Sequence, residues 1–288
     1  MHHIKSGMTL LLFALLATVP VRAQGVPQRL VLDNGWALQS SAKVHASAES
    51  ISTPGYGASG WIAAQVPATV VATQVKQGLL PDPFYGMNLR RFPGVGYPVG
   101  VNFSERAMPV NSPYAASWWY RTEFTLPQDY AGKTLWLGFK GINYKANVYL
   151  NGKLIADASQ VIGAWRTYEF NVTPAIKPGK NVLALQVWAQ TETDLGITFV
   201  DWNPSPPDKN MGLFREVYLT TSGPVAVRHA TVISKLEAPA YDAAQLTVTA
   251  LLKNASAHTV KGTLRGRIEQ AEFSKPVELA PGEQQDVS

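Results

Sequence analysis

Cysteine is absent from this sequence. That absence rules out disulfide staples, thiolate metal sites and a cysteine nucleophile. Burial of a core must therefore hold the fold, which the chain's length permits. Histidine is scarce: beyond residue 23 only His45, His229 and His258 occur, each isolated. With no histidine pair at ligand spacing, no metal is expected. Charge of one sign is not in excess. There are 25 Lys and Arg against 20 Asp and Glu, a net of +5. Loss of the first 23 residues would remove Lys5 and Arg22 and leave +3. So small and scattered a surplus argues against a nucleic-acid partner. Gly-x-Ser-x-Gly elbows and phosphate-binding loops are missing, and no cofactor is expected. Long apolar runs are missing too. The run from Met8 to Val19 is too short to span a bilayer, so no membrane partner is expected. Lys5 before that run and Val21-Arg-Ala23 after it read as a secretory signal, residues 1–23, removed before Gln24. The expected location is secreted or periplasmic.

What the chain has in quantity is short alternating segments. Asp33-Asn-Gly35 is a turn between two strand pieces. Residues 42–59, rich in Ser, Ala and Gly, are a loop or an inserted flap. Val70, Val71, Gln74, Val75 and Gly78 sit at helical spacing, with Gly78 closing a short helix. Residues 92–113 are irregular and long for a connection inside a compact domain. From Trp118 the period is 2: strands are expected over 118–126, 134–139, 146–150, 153–156, 167–172, 181–188 and 214–219, with Asn151-Gly152 as a hairpin turn. Trp118 and Trp119 alternate, so one faces the core and the other the surface. Trp136 and Trp188 are expected in the core, and Trp165, in a turn, is open to either side. This many short antiparallel strands predicts an all-β sandwich of two sheets, residues 24–222.

Near Ser222 the register changes. Residues 225–236, 244–253, 261–269 and 276–279 alternate with polar turns, as in an immunoglobulin-like sandwich. About seven strands make such a fold, and roughly four are readable, so residues 223–288 are expected to be its truncated start, with an apolar face and an unpaired edge.

The segment 198–210 gathers Asp201, Trp202, Asn203, Asp208 and Asn210 around prolines 204, 206 and 207. Prolines fix φ and remove ladder donors. A stiff loop offering a ring face, carboxylates and amides suits a polyol, whose hydroxyls need fixed partners and whose C–H face packs on an aromatic. The alternative is a proline-rich connector with a buried tryptophan. Pro81-Asp-Pro-Phe-Tyr-Gly-Met-Asn88 is built from similar parts.

Three stretches together resemble glycoside hydrolase family 2: Trp119-Tyr-Arg-Thr-Glu-Phe124, the run from Leu135 to Leu154 with its Asn147-Val-Tyr-Leu-Asn-Gly152 hairpin, and Met211-Gly-Leu-Phe-Arg-Glu-Val-Tyr-Leu219. The resemblance covers about residues 30–288. It implies the family's jelly-roll sugar-binding domain followed by the opening of its immunoglobulin-like domain. The loops at 81–88 and 201–204 look most like the exo-β-D-glucosaminidase and β-mannosidase branch. By that resemblance Asp201 binds hydroxyls of the terminal sugar, Trp202 is a neighbouring wall and Asn88 lies on the same rim. Arg215 and Glu216 match the family but read as structural, a fixed ion pair being at least as suitable as ligand contact.

A retaining β-glycosidase needs an acid and a carboxylate nucleophile about 5 Å apart. The family carries both on a (β/α)₈ barrel that these residues do not include, so no catalytic residue is expected in this chain. Glu192 with Asp194, and Asp201 with Asp208, are the nearest internal pairs, and acids in loops are mostly solvated. The reading is an amino-terminal fragment of an exported retaining β-glycosidase, by the resemblance an exo-β-D-glucosaminidase releasing glucosamine from chitosan oligomers, inactive by itself. Its implied partners are a carbohydrate (a chitosan oligosaccharide or a β-mannoside) and a catalytic barrel in cis. The alternatives are a β-mannosidase fragment, a non-catalytic carbohydrate-binding protein, or a structural sandwich.

Overall fold

The computed structural model describes residues 29–94, 107–197 and 204–288. The expected signal segment, Asp201 and Trp202 lie outside the described residues.

The first strands are β1 (Arg29–Val31), β2 (Trp36–Ser40), β3 (Ile62–Ala64) and β4 (Ala68–Thr69). They are followed by β5 (Trp118–Thr125), β6 (Thr134–Phe139), β7 (Lys145–Leu150), β8 (Lys153–Ala156), β9 (Tyr168–Asn171), β10 (Lys180–Trp188), β11 (Gly212–Leu213) and β12 (Val217–Ser222). One sheet has the order β3-β2-β5-β10-β7-β8, the facing sheet β1-β12-β6-β9, and β4 pairs with β11 beside them. Every pairing in these sheets is antiparallel. The main core lies between the sheets. Leu38, Trp118, Tyr120, Leu183 and Leu185 meet Leu137, Phe139, Val217 and Leu219 there. Asp33-Asn-Gly35 turns as expected, but β1 and β2 belong to different sheets, so the turn passes the chain across the sandwich instead of closing a hairpin.

The hairpin at Asn151-Gly152 is present between β7 and β8, with φ of 52° and 82°, the two positive values that a type I′ turn requires. Asn151 does more than turn the chain. Its Nδ2 donates to the Ala175 carbonyl (2.8 Å) and to Asn181 Oδ1 (2.7 Å), and its Oδ1 accepts from the Val182 amide.

Residues 42–59 depart from the expectation of a loop or flap. They contain a short helix, α1 (Ala48–Ile51), capped by Ser47, and they fold onto the outer face of the six-stranded sheet. Ile51 is fully buried there against Trp119, Tyr149 and Ala184. Burying a side chain of that size stabilises by about 1.5–3 kcal/mol. Arg121 fastens the segment from below: its Nε donates to the Ile51 carbonyl at 2.8 Å and its Nη2 to the Thr53 carbonyl at 3.2 Å. Trp118 and Trp119 do point to opposite faces, yet both are buried. A second small core, and not solvent, receives Trp119.

Other expectations need correction. Trp188 is half-buried, because in β10 its neighbour Val187 takes the core side. Trp136 is buried but lies outside the core. Leu135 and Leu137 fill the inner face of β6, so Trp136 is directed to the outer one. The strand expected over 214–219 is interrupted, Phe214, Arg215 and Glu216 lying between β11 and β12. The irregular stretch around 92–113 contributes Phe92 to the core.

The helix expected near residue 70 is α2 (Val70–Lys76), with Thr69 as N-cap and Gly78 at φ 70° just beyond its end. Beyond Gly223 follow β13 (Val225–Leu236), β14 (Ala244–Asn254), β15 (Val260–Ile268), β16 (Ala271–Leu279) and β17 (Gln284–Val287). They form the sheets β13-β14-β17 and β15-β16 around a small cluster of Leu252, Leu279 and Val287. β17 goes beyond the four strands readable in sequence. Its Gln284-Gln-Asp-Val287 carries no alternating apolar signal, and pairing with β14 makes it a strand. Val232, Ile233, Leu236 and Leu246 are exposed along β13 and β14.

Candidate saccharide site

The polar loop is fixed where it re-enters the fold. Asp208 is fully buried. Its Oδ2 accepts from the Val71 amide at 2.7 Å and its Oδ1 from the Asn210 amide at 2.9 Å. Val71 lies in the first turn of α2, where backbone N–H groups have no intrahelical partner. A loop residue 137 positions away thus completes the cap that Thr69 begins at Ala72 (3.2 Å). Burial pushes the Asp208 carboxyl up to about 6, against the pull of the amides of Val71 and Asn210. Nearby, burial and the Asp208 charge raise the Tyr120 hydroxyl well above its ordinary value.

A second clamp acts on the same turn. The fully buried Asn143 donates through Nδ2 to the carbonyls of Lys209 (2.8 Å) and Asn210 (2.9 Å). Its backbone exchanges hydrogen bonds with Gly212 at 2.9 and 2.7 Å. Only glycine fits at 212. The residue has φ 147°, and a Cβ there would stand 2.3 Å from the Tyr120 hydroxyl and 2.9 Å from the Ala68 carbonyl.

The other flank of the loop is held by Gln190. Its side-chain amide donates to the Ile197 carbonyl at 2.7 Å and accepts from the Ile197 amide at 2.8 Å. This reproduces a strand pairing with a side chain. Of the two neighbours of the segment that carries Asp201 and Trp202, one is therefore tied back to Gln190, two positions beyond β10, and the other is fixed to the sandwich by Asp208 with Asn143. The internal acid pairs take other roles. Asp194 accepts from the amide and hydroxyl of Thr191, both at 2.8 Å, and Glu192 is exposed. Asp208 is fully buried with its oxygens taken by backbone amides, and so is not open to a ligand hydroxyl.

α2 connects this loop to the second one. Its first turn sits on Asp208, and its far end, about 10 Å away at 1.5 Å per residue, leads through Gly78 into residues 81–88. There Asp82 organises the backbone: its Oδ1 accepts from Phe84 N (2.9 Å), and its carbonyl accepts from Asn88 Nδ2 (3.0 Å). Asn88 is half-buried, with its amide donor turned into its own loop. Phe84 and Tyr85 are 95% and 75% exposed. A cleft of ≈ 210 Å³ between β3 and α2, lined by Asp33, Gln65, Thr73 and Lys76, does not include Asn88.

Among the described residues Arg215 and Glu216 are not paired with each other, and only Glu216 is held in ion pairs. Glu216 is joined to Arg29 and to Lys140 (3.3 Å). Partial burial pulls its carboxyl upward, but those two cations hold it below the usual range. Arg215 lies over Trp165, which is exposed and meets Phe214 edge-on at 5.6 Å. Sequence reasoning missed Asn143, Gln190 and the capping role of Asp208. The Pro206-Pro-Asp208 run was visible, but nothing local gives the partner of its carboxylate.

Residues 102–215 match the family described as glycosyl hydrolase 2 galactose-binding domain-like. An exo-β-D-glucosaminidase of Streptomyces avermitilis is 35% identical over 255 residues, 88% of this chain and 26% of that protein. A mannosylglycoprotein endo-β-mannosidase of Lilium longiflorum is 31% identical over 231 residues, 71% of this chain and 22% of that protein. The crystal structure of Amycolatopsis orientalis exo-chitosanase CsxA superposes with a TM-score of 0.78 at 33% identity, over 90% of this chain and 28% of that one. The chain thus spans about a quarter of the length of these relatives.

Proposed function

This chain belongs to glycosyl hydrolase family 2 and carries its galactose-binding domain-like segment, and from that premise we propose that it is the amino-terminal part of an exported retaining exo-β-D-glucosaminidase acting on chitosan oligosaccharides. The observation that carries the reading is the double anchoring of the loop. Gln190 holds one flank and Asp208 the other, as a site for a rigid polyol requires. Similarity to exo-β-D-glucosaminidases over 88% of the chain supports the substrate class. In this proposal Asp201 accepts hydrogen bonds from the terminal sugar, Trp202 forms a wall, and Asn88 lies on the rim. An acid near a glucosamine ammonium would add charge-assisted binding. The acid and the nucleophile, about 5 Å apart for retention, belong to the remaining three quarters of the protein, on a barrel in cis. Export rests on residues 1–23, and the mass of the secreted protein tests it: the mature chain begins at Gln24.

The test of the site is Asp201→Ala in the whole protein, assayed with a nitrophenyl β-D-glucosaminide. The expected outcome is a fall of about 100-fold in kcat/KM, the scale of a misplaced or lost positioning contact, with the thermal midpoint unchanged. Unchanged kinetics would remove Asp201 from the site. A β-mannosidase is the second reading, supported by the similarity to the Lilium enzyme. Parallel assay with the mannoside separates the two by the ratio of kcat/KM values.

A further inference from the structure

The outer face of the four-stranded sheet carries a cluster that neither the core nor the sugar loops use. Across β12, β6 and β9, register puts Tyr218 beside Gly138 and Gly138 beside Glu169. Trp136, two residues from Gly138, shares that face. Strands β13 and β14 bring two cations down onto it. Arg228 Nε bonds both carboxylate oxygens of Glu169, at 2.8 and 3.1 Å. Lys253 Nζ reaches the same carboxylate at 3.5 Å. Both cations also stand over the Trp136 ring, 5.5 and 5.7 Å from its centroid. The indole is fixed in turn by its Nε1–H to Ser222 Oγ at 2.8 Å. All three charged side chains are only 15–16% exposed.

Two features say that this contact sets direction and not merely adhesion. The covalent link is short and pivot-like, since only Gly223 and Pro224 separate β12 from β13. The register of β13 against β14 breaks immediately after Arg228, with His229 at φ 51°. A bulge of this kind re-aims a neighbouring side chain, and here it lies beside the arginine that takes Glu169. The guanidinium is held at two points, its Nε–H shared between the two Glu169 oxygens and its Nη1 donating to the Val227 carbonyl at 3.0 Å, which orients it as an apolar contact, tolerant of sliding, would not.

We propose that Glu169, Arg228, Lys253 and Trp136 form a joint that fixes the angle between the sugar-binding sandwich and the strands after Gly223. Arg228 is thereby a positioning residue for glycoside cleavage, an assignment that rests on the function proposed above. If a barrel follows those strands, their angle sets where the loop at 201 meets the reacting bond.

These 288 residues contain no cysteine, so for the test only cysteines elsewhere in the whole protein need replacing by serine. Spin labels at Lys153→Cys on β8 and Gln285→Cys on β17 report the distance between the two parts in the whole protein. With Arg228 and Glu169 intact, one narrow distance distribution is expected. Arg228→Ala and Glu169→Gln should each at least double its width, with circular dichroism unchanged, and Arg228→Lys should widen it less. In the same protein without labels, Arg228→Ala should lower kcat/KM about 10- to 100-fold on the glucosaminide, with kcat falling and KM rising together. Unaltered widths in both variants overturn the joint. Widened distributions with unaltered kcat/KM overturn the positioning role. Wild-type inactivity on glucosaminide and mannoside alike would count against the glycosidase reading alone, because the distances are read without substrate.

Discussion

Replacing Asp208 by alanine removes the acceptor of two backbone N–H groups, at Val71 and Asn210, beneath a fully buried carboxyl. Each buried donor left unpaired costs about 1–3 kcal/mol, so the gross loss is about 2–6 kcal/mol. Burial of the charge opposes this. The folded carboxyl titrates at about 6, against about 3.9 in the unfolded chain. That difference of about 2 units is about 3 kcal/mol at 1.36 kcal/mol per unit. The sign follows from proton binding. Between those two values the folded state holds more protons than the unfolded one, so stability falls as pH rises. The contribution of Asp208 is whole below about pH 4, falls between about pH 4 and 6, and stays at its reduced value above that. Alanine should therefore be most damaging in acid, and its effect should shrink by up to about 3 kcal/mol by pH 7.5. Urea titrations of the chain and of Asp208→Ala at pH 4.5 and 7.5, followed by tryptophan fluorescence, measure this directly. Asp208→Asn is the non-titrating control, keeping one acceptor oxygen. A difference that is constant with pH, or larger at pH 7.5, would mean that the amide donors hold the carboxylate ionised. The balance of burial over hydrogen bonding argued above would then be wrong.

Two other substitutions test the supports of the same region. Gly212→Ala forces a Cβ against the Tyr120 hydroxyl and the Ala68 carbonyl, and overpacking plus a positive φ should lower stability by about 2–4 kcal/mol. A melting midpoint within a degree of the parent would sink that argument. Ile51→Ala empties the small core over Trp119 and should cost about 2–4 kcal/mol. It should also quench or shift tryptophan emission. Normal stability with normal emission would show that residues 42–59 cover the sheet without binding to it.

The all-β character, most strand positions and the Asn151-Gly152 hairpin were legible because they are local. Period 2 and positive-φ turn residues act within a few positions of chain. The short helix was legible for the same reason, its apolar spacing ending at Gly78. The faces were less legible. Trp119 and Trp136 both read from their strands, but what covers them comes from elsewhere: Ile51 from a segment with no periodic signal, Arg228 and Lys253 from beyond Gly223. β17 was invisible because a polar strand exists only through its partner.

For the candidate site, residue type alone drew attention to the polar loop, since prolines, acids, amides and an indole in ten residues are a chemical statement wherever they fold. Only the tertiary structure decided that Asp208 belongs to a helix 137 positions earlier, and that Asn143 and Gln190 hold the loop's two ends. Sequence lists the donors and acceptors a chain owns. Which buried N–H each carboxylate must satisfy depends on where distant segments meet, and that is fixed by the packing of two sheets.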